Sequence, residues 1–168
     1  MAPSKSTARG FTWIELVLIL AVLGILAAMA FPAMQDQALK KQVKDALALA
    51  AVAKAGVQAV WAIEGEMPVN NKKAGVPEPE KIIGSFVSAV HVHDGAVTLT
   101  LGNQASKQLQ GRKVTVRPAV VADQKVVPIS WICHAFPAPQ GMEVHGRDET
   151  DVQLSWLPVE CRGGAAPK

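Results

Sequence analysis

Hydrophobic positions fall into two regimes along the 168-residue chain. From Phe11 to Met34 they are almost continuous, and from Leu16 to Met34 there is no charge, about the length that a bilayer requires. One acid, Glu15, interrupts the start of the run. A carboxylate in a bilayer core costs roughly 2.5–3.5 kcal/mol on insertion scales, so a simple anchor gains nothing from it. Further on, Leu39, Val43, Leu47, Ala50, Val57 and Trp61 recur close to the i, i+4, i+7 pattern of one buried helix face. Lys40, Lys41, Lys44 and Asp45 fall mostly on the other faces. No turn cluster separates the two regimes, so the pattern predicts one helix from about Phe11 to about Glu64. Its second half is expected to pack on a soluble head. Gly24 and Pro32 are the exceptions: glycine weakens a helix, and an interior proline removes a backbone bond and kinks it.

After Glu64 the period changes. Residues 64–81, EGEMPVNNKKAGVPEPEK, carry turn residues throughout and read as a loop. Apolar and polar residues then alternate on both sides of Asp94-Gly95 in SFVSAVHVHDGAVTLTL, a strong hairpin signal. Lys113–Val121 and Lys125–His134 supply a third and a fourth strand, with Pro118 and Pro128 expected at edges or strand ends. Short connections favour an antiparallel sheet with one face on the helix. From Cys133 to Cys161 prolines and glycines break the chain, and Val152–Trp156 is expected as a short strand. The fold class is therefore α+β: a long N-terminal helix, membrane-spanning in its first half, on a four-stranded antiparallel sheet.

Composition adds three constraints. Hydrophobic residues make up 49% and charged residues 18%, with the excess in the N-terminal third, which fits a soluble domain with a membrane segment attached. The formal net charge of +3 is too mild to imply nucleic acid by itself. Two cysteines, Cys133 and Cys161, lie beyond the apolar run. An even pair there suggests a disulfide in an oxidising compartment, worth roughly 3.5 kcal/mol by chain entropy; two buried thiols are the alternative. The leading MAPSKSTARG is short and basic through Lys5 and Arg9, which suits an N-in, C-out orientation. Ala27–Ala30 resembles a signal-peptide cleavage site, but that reading leaves Glu15 unexplained.

The stretch RGFTWIELVLILAVLGILAAMAFPA resembles the class III leader and N-terminal helix of the type IV pilins, and ISWICH with LPVEC resembles the disulfide-bounded D-region of type IVa pilins. The resemblance covers nearly the whole chain. It implies a leader at 1–10, cleaved between Gly10 and Phe11 by a prepilin peptidase, with N-methylation of Phe11. It implies a transmembrane and assembly half of the helix at 11–34 and an amphipathic half at 35–64. An αβ-loop at 65–84, a sheet at 85–134, a D-region at 133–161 and a flexible tail at 162–168 follow. Glu15 is expected to receive the Phe11 amine of a neighbouring subunit and so set register, because an ion pair away from water is favourable only with its partner in place. The helix is expected to lose order or kink between Gly24 and Pro32. The implied partners are further pilin subunits as a homopolymer, the peptidase, inner-membrane assembly machinery, the inner membrane before assembly, and a host or abiotic surface. The implied location is the inner membrane as a prepilin, then the extracellular pilus. The implied function is that of a pilus subunit supporting adhesion, twitching motility and DNA uptake. Minor or DNA-binding pilins and type II secretion pseudopilins share the N-terminal motif, and a monomeric membrane-anchored binding domain is the rival from another class. In the family pattern a Tyr often follows the proline; this chain has none.

No catalytic or cofactor motif is legible: there is no phosphate loop, zinc spacing or nucleophile elbow. No metal site or cofactor is expected. Asp148, Glu149 and Asp151 form an acidic cluster that reads as a solvated turn rather than a calcium site, which needs six to eight oxygens. His91 and His93 share a strand face and are expected to meet solvent. Lys72, Lys73, Lys81, Lys107, Arg112, Lys113 and Arg117 could form a basic stripe that takes DNA when repeated along a fibre. Trp131 and Trp156 are expected as core or sheet residues.

Overall fold

The computed structural model describes residues 12–163. Its first element, α1, runs Trp13–Glu64. Thr12 precedes it, and its hydroxyl accepts the Glu15 backbone N–H at 3.4 Å, the position of an N-cap. The chain divides into two compact units, one ending at Gln35 and one beginning at Asp36.

In the first unit every described side chain from Thr12 to Met29 is exposed. Trp13 is 80% and Met29 71% exposed, and mean hydropathy reaches 2.7 over an 18-residue window. An apolar surface of this extent needs lipid or protein to cover it.

The second unit, the head, places the rest of α1 on one face of an antiparallel sheet. The strands are β1 (Val87–His93), β2 (Ala96–Leu101), β3 (Lys113–Val120) and β4 (Ser130–Cys133), in that spatial order, with a short β5 (Glu143–Val144) also pairing with β3. Helix residues Leu39, Val43, Ala46, Ala50, Ala53, Val57 and Trp61 are buried. Expected Leu47 is only partly buried, and Ala46 and Ala53 fill the face instead. Small side chains on this face let the helix lie close to the sheet residues Val90, Val92, Val97, Leu99, Leu101, Val114 and Val116, all in the same core.

Asp94 and Gly95 join β1 to β2 with φ of 47° and 79°, the paired positive values of a two-residue type I′ turn. Glycine is needed there for a second reason: a Cβ at Gly95 would press on Met67 and Pro118. A register shift between Val87 and Ala89 inserts one residue into β1. That bulge returns Val87 to the same buried face as Val90 and Val92.

Pro118 lies inside β3, yet at a break in its pairing. β2 begins at Ala96 and does not reach it, and the Pro118 carbonyl instead accepts the His145 N–H at 2.9 Å beside β5. The missing proline donor therefore falls where no ladder bond is required. Val152–Trp156 departs from expectation. It is not a strand; Leu154–Trp156 forms a 3₁₀ turn, with the Trp156 N–H donating to Gln153 at 2.9 Å. Residues 148–151 already occupy the side of β3 that a further strand would need. β5, by contrast, lies in a region that reads as irregular: two residues are too few for an alternation to register.

The αβ-loop, residues 65–84, is held by one buried side chain. Asn71 donates from Nδ2 to the Pro77 and Val90 carbonyls, both at 2.9 Å, and accepts the Val92 N–H at 2.7 Å. Its amide mimics a strand partner on the outer edge of β1, which blocks that edge against foreign strands. Helix and loop also meet at Gly56, where a Cβ would collide with the Ala74 carbonyl oxygen and the Val76 side chain. Gly56→Ala should therefore destabilise the head by about 1–3 kcal/mol, although alanine is the better helix former. Urea unfolding of the full chain in detergent will show this as a lowered midpoint. A raised midpoint would mean that the loop yields.

Candidate functional site in the apolar helix and the disulfide region

Two regions carry the features singled out in the sequence. In the apolar helix, Glu15 sits in the first turn of α1, three residues after the Thr12 cap. A carboxylate there is favoured by the helix dipole, a local benefit that the sequence reading missed although Thr-x-x-Glu is a capping pattern. No cation pairs with Glu15 among the described residues. Gly10 and Phe11, the residues of the expected cleavage and methylation, lie outside the described residues, as does the rest of the leader. Gly24 lies within α1 with open space around its Cα. Position 32, the proline, also lies within α1.

In the head, Cys133 and Cys161 form a disulfide with Cα atoms 4.7 Å apart. Cys133 ends β4 and Cys161 ends a 3₁₀ turn, so the bridge closes the D-region onto the sheet. Beyond the bridge, Arg162 donates from Nε to the Leu157 carbonyl at 2.7 Å, and Gly163 lies tight against Ala135; residues 164–168 lie outside the described residues.

Inside this closed loop the acidic cluster has structural partners. Asp148 accepts the Thr150 N–H at 3.0 Å and pairs with His134 Nδ1 at 2.8 Å. Glu149 takes Lys113 Nζ at 2.8 Å. Asp151 accepts the Lys113 N–H, and its own N–H donates to the Lys113 carbonyl at 3.1 Å. The Thr150 hydroxyl accepts the Thr115 N–H at 3.0 Å. These side chains serve β3 where β4 has ended, at residues 113–115. The buried hydroxyls of Thr98 and Thr115 bond to each other at 2.9 Å, and Thr115 Oγ1 also accepts the Glu149 N–H at 3.1 Å. Nothing in the sequence pairs the cluster with β3, from which it lies 34 to 38 positions away.

The ionisation of the cluster follows from these contacts. Burial opposes charge on Asp148, but hydrogen bonds from Thr150 and contact with His134 outweigh it and hold its pKa below the usual value. At Glu149 the Lys113 hydrogen bond leads, and the shift is again downward. A carboxylate with a lowered folded pKa adds stability above its unfolded pKa, and that stability is lost as pH falls through the folded value. The head should therefore lose stability as pH drops below about 4, and Asp148→Asn should flatten that slope while lowering stability at pH 7. Urea midpoints from pH 7 to pH 3 measure both effects; parallel profiles for the two proteins would contradict the assignment.

The basic stripe is largely paired. Lys73 meets Glu64 at 3.4 Å, Lys81 meets Glu78 at 3.0 Å, Arg112 meets Asp151 at 3.9 Å, and Lys113 meets Glu149 at 2.8 Å. Arg117 donates to the His134 carbonyl at 2.9 Å. Lys72, Lys107 and Arg117 have no carboxylate partner among the described residues, and of these Lys72 and Lys107 also lack a side-chain hydrogen bond. His91 and His93 are exposed, and His93 pairs with Asp94 at 3.2 Å. Trp131 is a β4 residue half-buried beneath Lys54, whose ammonium lies 5.2 Å from the ring centroid. Burial lowers the Lys54 pKa. Trp156 packs against the core and donates from Nε1 to Asp36 at 3.2 Å.

An exposed apolar helix, a sheet packed on the helix's second half and a disulfide-closed C-terminal loop form one combination. The family model described as pilin, a bacterial filament, matches residues 40–162. The chain belongs to the type IV pilin family. It is 34% identical over 164 residues to a type IV major pilin protein PilE1 of Neisseria gonorrhoeae, covering 94% of this chain and 89% of that protein. To a fimbrial protein of Neisseria meningitidis serogroup A it is 36% identical over 168 residues, covering 94% and 96%. Fimbrial protein EcpC of Eikenella corrodens is 29% identical over 168 residues, covering 97% and 96%. This pilin is thus a structural filament protein and not an enzyme. The family implies polymerisation with other pilin subunits, and the apolar N-terminal helix of this pilin is compatible with membrane anchoring.

Proposed function

We propose that this pilin is the major subunit of a type IV pilus, made as a prepilin whose residues 1–10 are removed between Gly10 and Phe11 by a prepilin peptidase. Phe11 is then methylated. Residues 11–34 hold the subunit in the inner membrane until assembly machinery moves it into a fibre. There the apolar helices cover one another and the heads form the surface. Burying the helix first in lipid and then in protein keeps it from water throughout. Glu15 accepts the Phe11 amine of a neighbour, and the Gly24–Pro32 stretch adapts the helix to the packed core. The remaining segments act as the αβ-loop (65–84), sheet (85–134), D-region (133–161) and tail (162–168).

The observation that carries this reading is the exposed apolar stretch from Thr12 to Met29 with one acid that lacks a cationic partner among the described residues. The names of the relatives support the major role over a minor one. Pairing within the basic stripe favours surface adhesion and twitching motility over direct DNA binding as the outcome. Deleting the gene and imaging cells by electron microscopy tests the assignment: all long surface fibres should vanish. Intact fibres with blocked exoprotein secretion would indicate a pseudopilin, and intact fibres without that block a minor pilin.

A further inference from the structure

Among the described residues of the head, Lys40, Lys41, Lys44, Lys72, Lys107 and Arg147 are the lysine and arginine side chains with no ion-pair, hydrogen-bond or ring partner, and they are unevenly placed. Lys40, Lys41, Lys44 and Lys107 have no carboxylate within 4.0 Å among the described residues. The first three stand on the first turns of the helix within the head. Gln42 joins the fourth to them. Its Nε2 donates to Ser106 Oγ and its Oε1 accepts the Ser106 N–H, both at 2.9 Å, which fixes Lys107 beside that end of the helix. Lys40 and Lys44 are i, i+4 neighbours of like charge, an arrangement that disfavours the helix unless an anion relieves it.

The protein offers little relief. The Asp36 carboxylate is engaged by Trp156. Asp45 is the i+4 neighbour of Lys41 but comes within 4.0 Å of no lysine among the described residues, and it lines a groove with Gly84 and Ser85. Meanwhile Glu64, Glu66, Asp123 and Glu143 gather at the other end of the head helix around one cleft, where they outnumber Lys125, which also lines it, and Lys73, which pairs with Glu64. The head is therefore polarised, positive where the chain enters it and negative at the far end.

We propose that the lysine end is a binding surface for anionic lipid headgroups, which seats the head on the bilayer before assembly. The proposal rests on the reading that residues 11–34 occupy a membrane. The lysines of the helix follow the uncharged run by six to ten positions, so connectivity alone holds them beside the medium that buries it. With the N-terminus inside, the head faces the outer leaflet of that membrane, where anionic headgroups would attract this end and repel the acidic one, and lysine stems let the ammonium groups reach phosphate oxygens. Leaving the membrane then requires these contacts to break, which adds a lipid-dependent step to subunit extraction.

The test uses the full chain reconstituted in vesicles of phosphatidylcholine alone or with about 30% phosphatidylglycerol. Amine acetylation is followed residue by residue by mass spectrometry, with Lys72 on the αβ-loop as internal reference. Lys40, Lys41, Lys44 and Lys107 should label about threefold or more slowly in the anionic vesicles, and about 0.5 M salt should restore the rate. Equal rates in both vesicles would overturn the proposal. So would protection by inorganic phosphate in neutral vesicles equal to that given by the lipid, since a free anion would then suffice. Protection in neutral vesicles that grows with protein density would also overturn it, because a second copy would be the occupant. Flotation with the vesicles is scored separately: failure to float overturns the membrane reading of residues 11–34, whereas flotation with unchanged rates overturns the headgroup surface alone.

Discussion

Glu15→Val should insert and be processed normally, yet fibre yield should collapse by about two orders of magnitude or more. The substitution removes the one charge of the apolar run, so insertion into lipid becomes easier rather than harder. The loss appears only at assembly, where the neighbour's Phe11 amine would be left in an apolar fibre core without its partner. Removing one member of a buried pair costs about 3–5 kcal/mol, which is more than a hundredfold in an association constant. The Thr12–Glu15 contact offers a local alternative, in which the acid serves the helix start alone. Glu15→Gln separates the two roles, since glutamine also suits a capping box but carries no charge. Fibre yield from Glu15→Gln should fall as far as from Glu15→Val. Normal yield from the glutamine variant would reduce Glu15 to a capping residue.

Replacing both cysteines should affect the head nearly as strongly. The Cys133–Cys161 bridge spans 28 residues of sequence and holds a segment with little regular structure. In the chain-entropy model such a crosslink contributes about 3.5 kcal/mol, a large share of a typical domain stability of about 5–15 kcal/mol. Without it the D-region is left with the His134–Asp148 pair, the Thr150 and Asp151 contacts to β3, and the buried side chains of Val152 and Leu157. The double variant Cys133→Ser, Cys161→Ser should show a clearly lower urea midpoint in detergent and fewer sheared fibres per cell. The wild type under reductant should match it. An unchanged midpoint would mean that the hydrogen bonds alone hold the D-region.

The features behind these expected results differ in how plainly the sequence shows them. The long helix, the Asp94-Gly95 hairpin, the four main strands and the cysteine pair are legible because each rests on a local period or turn signal. Their pairing partners are near in sequence or covalently fixed. The fourth strand, however, covers only Ser130–Cys133 of the expected Lys125–His134, since the Val127 N–H bonds back to Gln124 in a turn ahead of Pro128. The helix face departs from expectation because Ala46 and Ala53 carry a weak hydrophobic signal and Leu47 a strong one, yet close packing on the sheet favours the small side chains. Val152–Trp156 reads as a strand because apolar composition does not reveal whether a sheet edge is still free. The roles of Asp148, Thr150 and Asp151 are invisible for the same reason: they complete hydrogen bonds of a strand far away in sequence. Asn71 is similar, since a loop asparagine reads as a turn former until its amide is seen against β1. For the assembly segment the situation is reversed. Its motif is plain in the sequence, while the partner proposed for it is another subunit.

Everything proposed for assembly depends on a newly made N-terminus at Phe11. The direct measurement is the N-terminal mass of the subunit taken from sheared surface fibres. The expected chain begins at N-methylated Phe11, with residues 1–10 absent. A subunit that still carries Met1 and the basic leader, from cells with active prepilin peptidase, would contradict it.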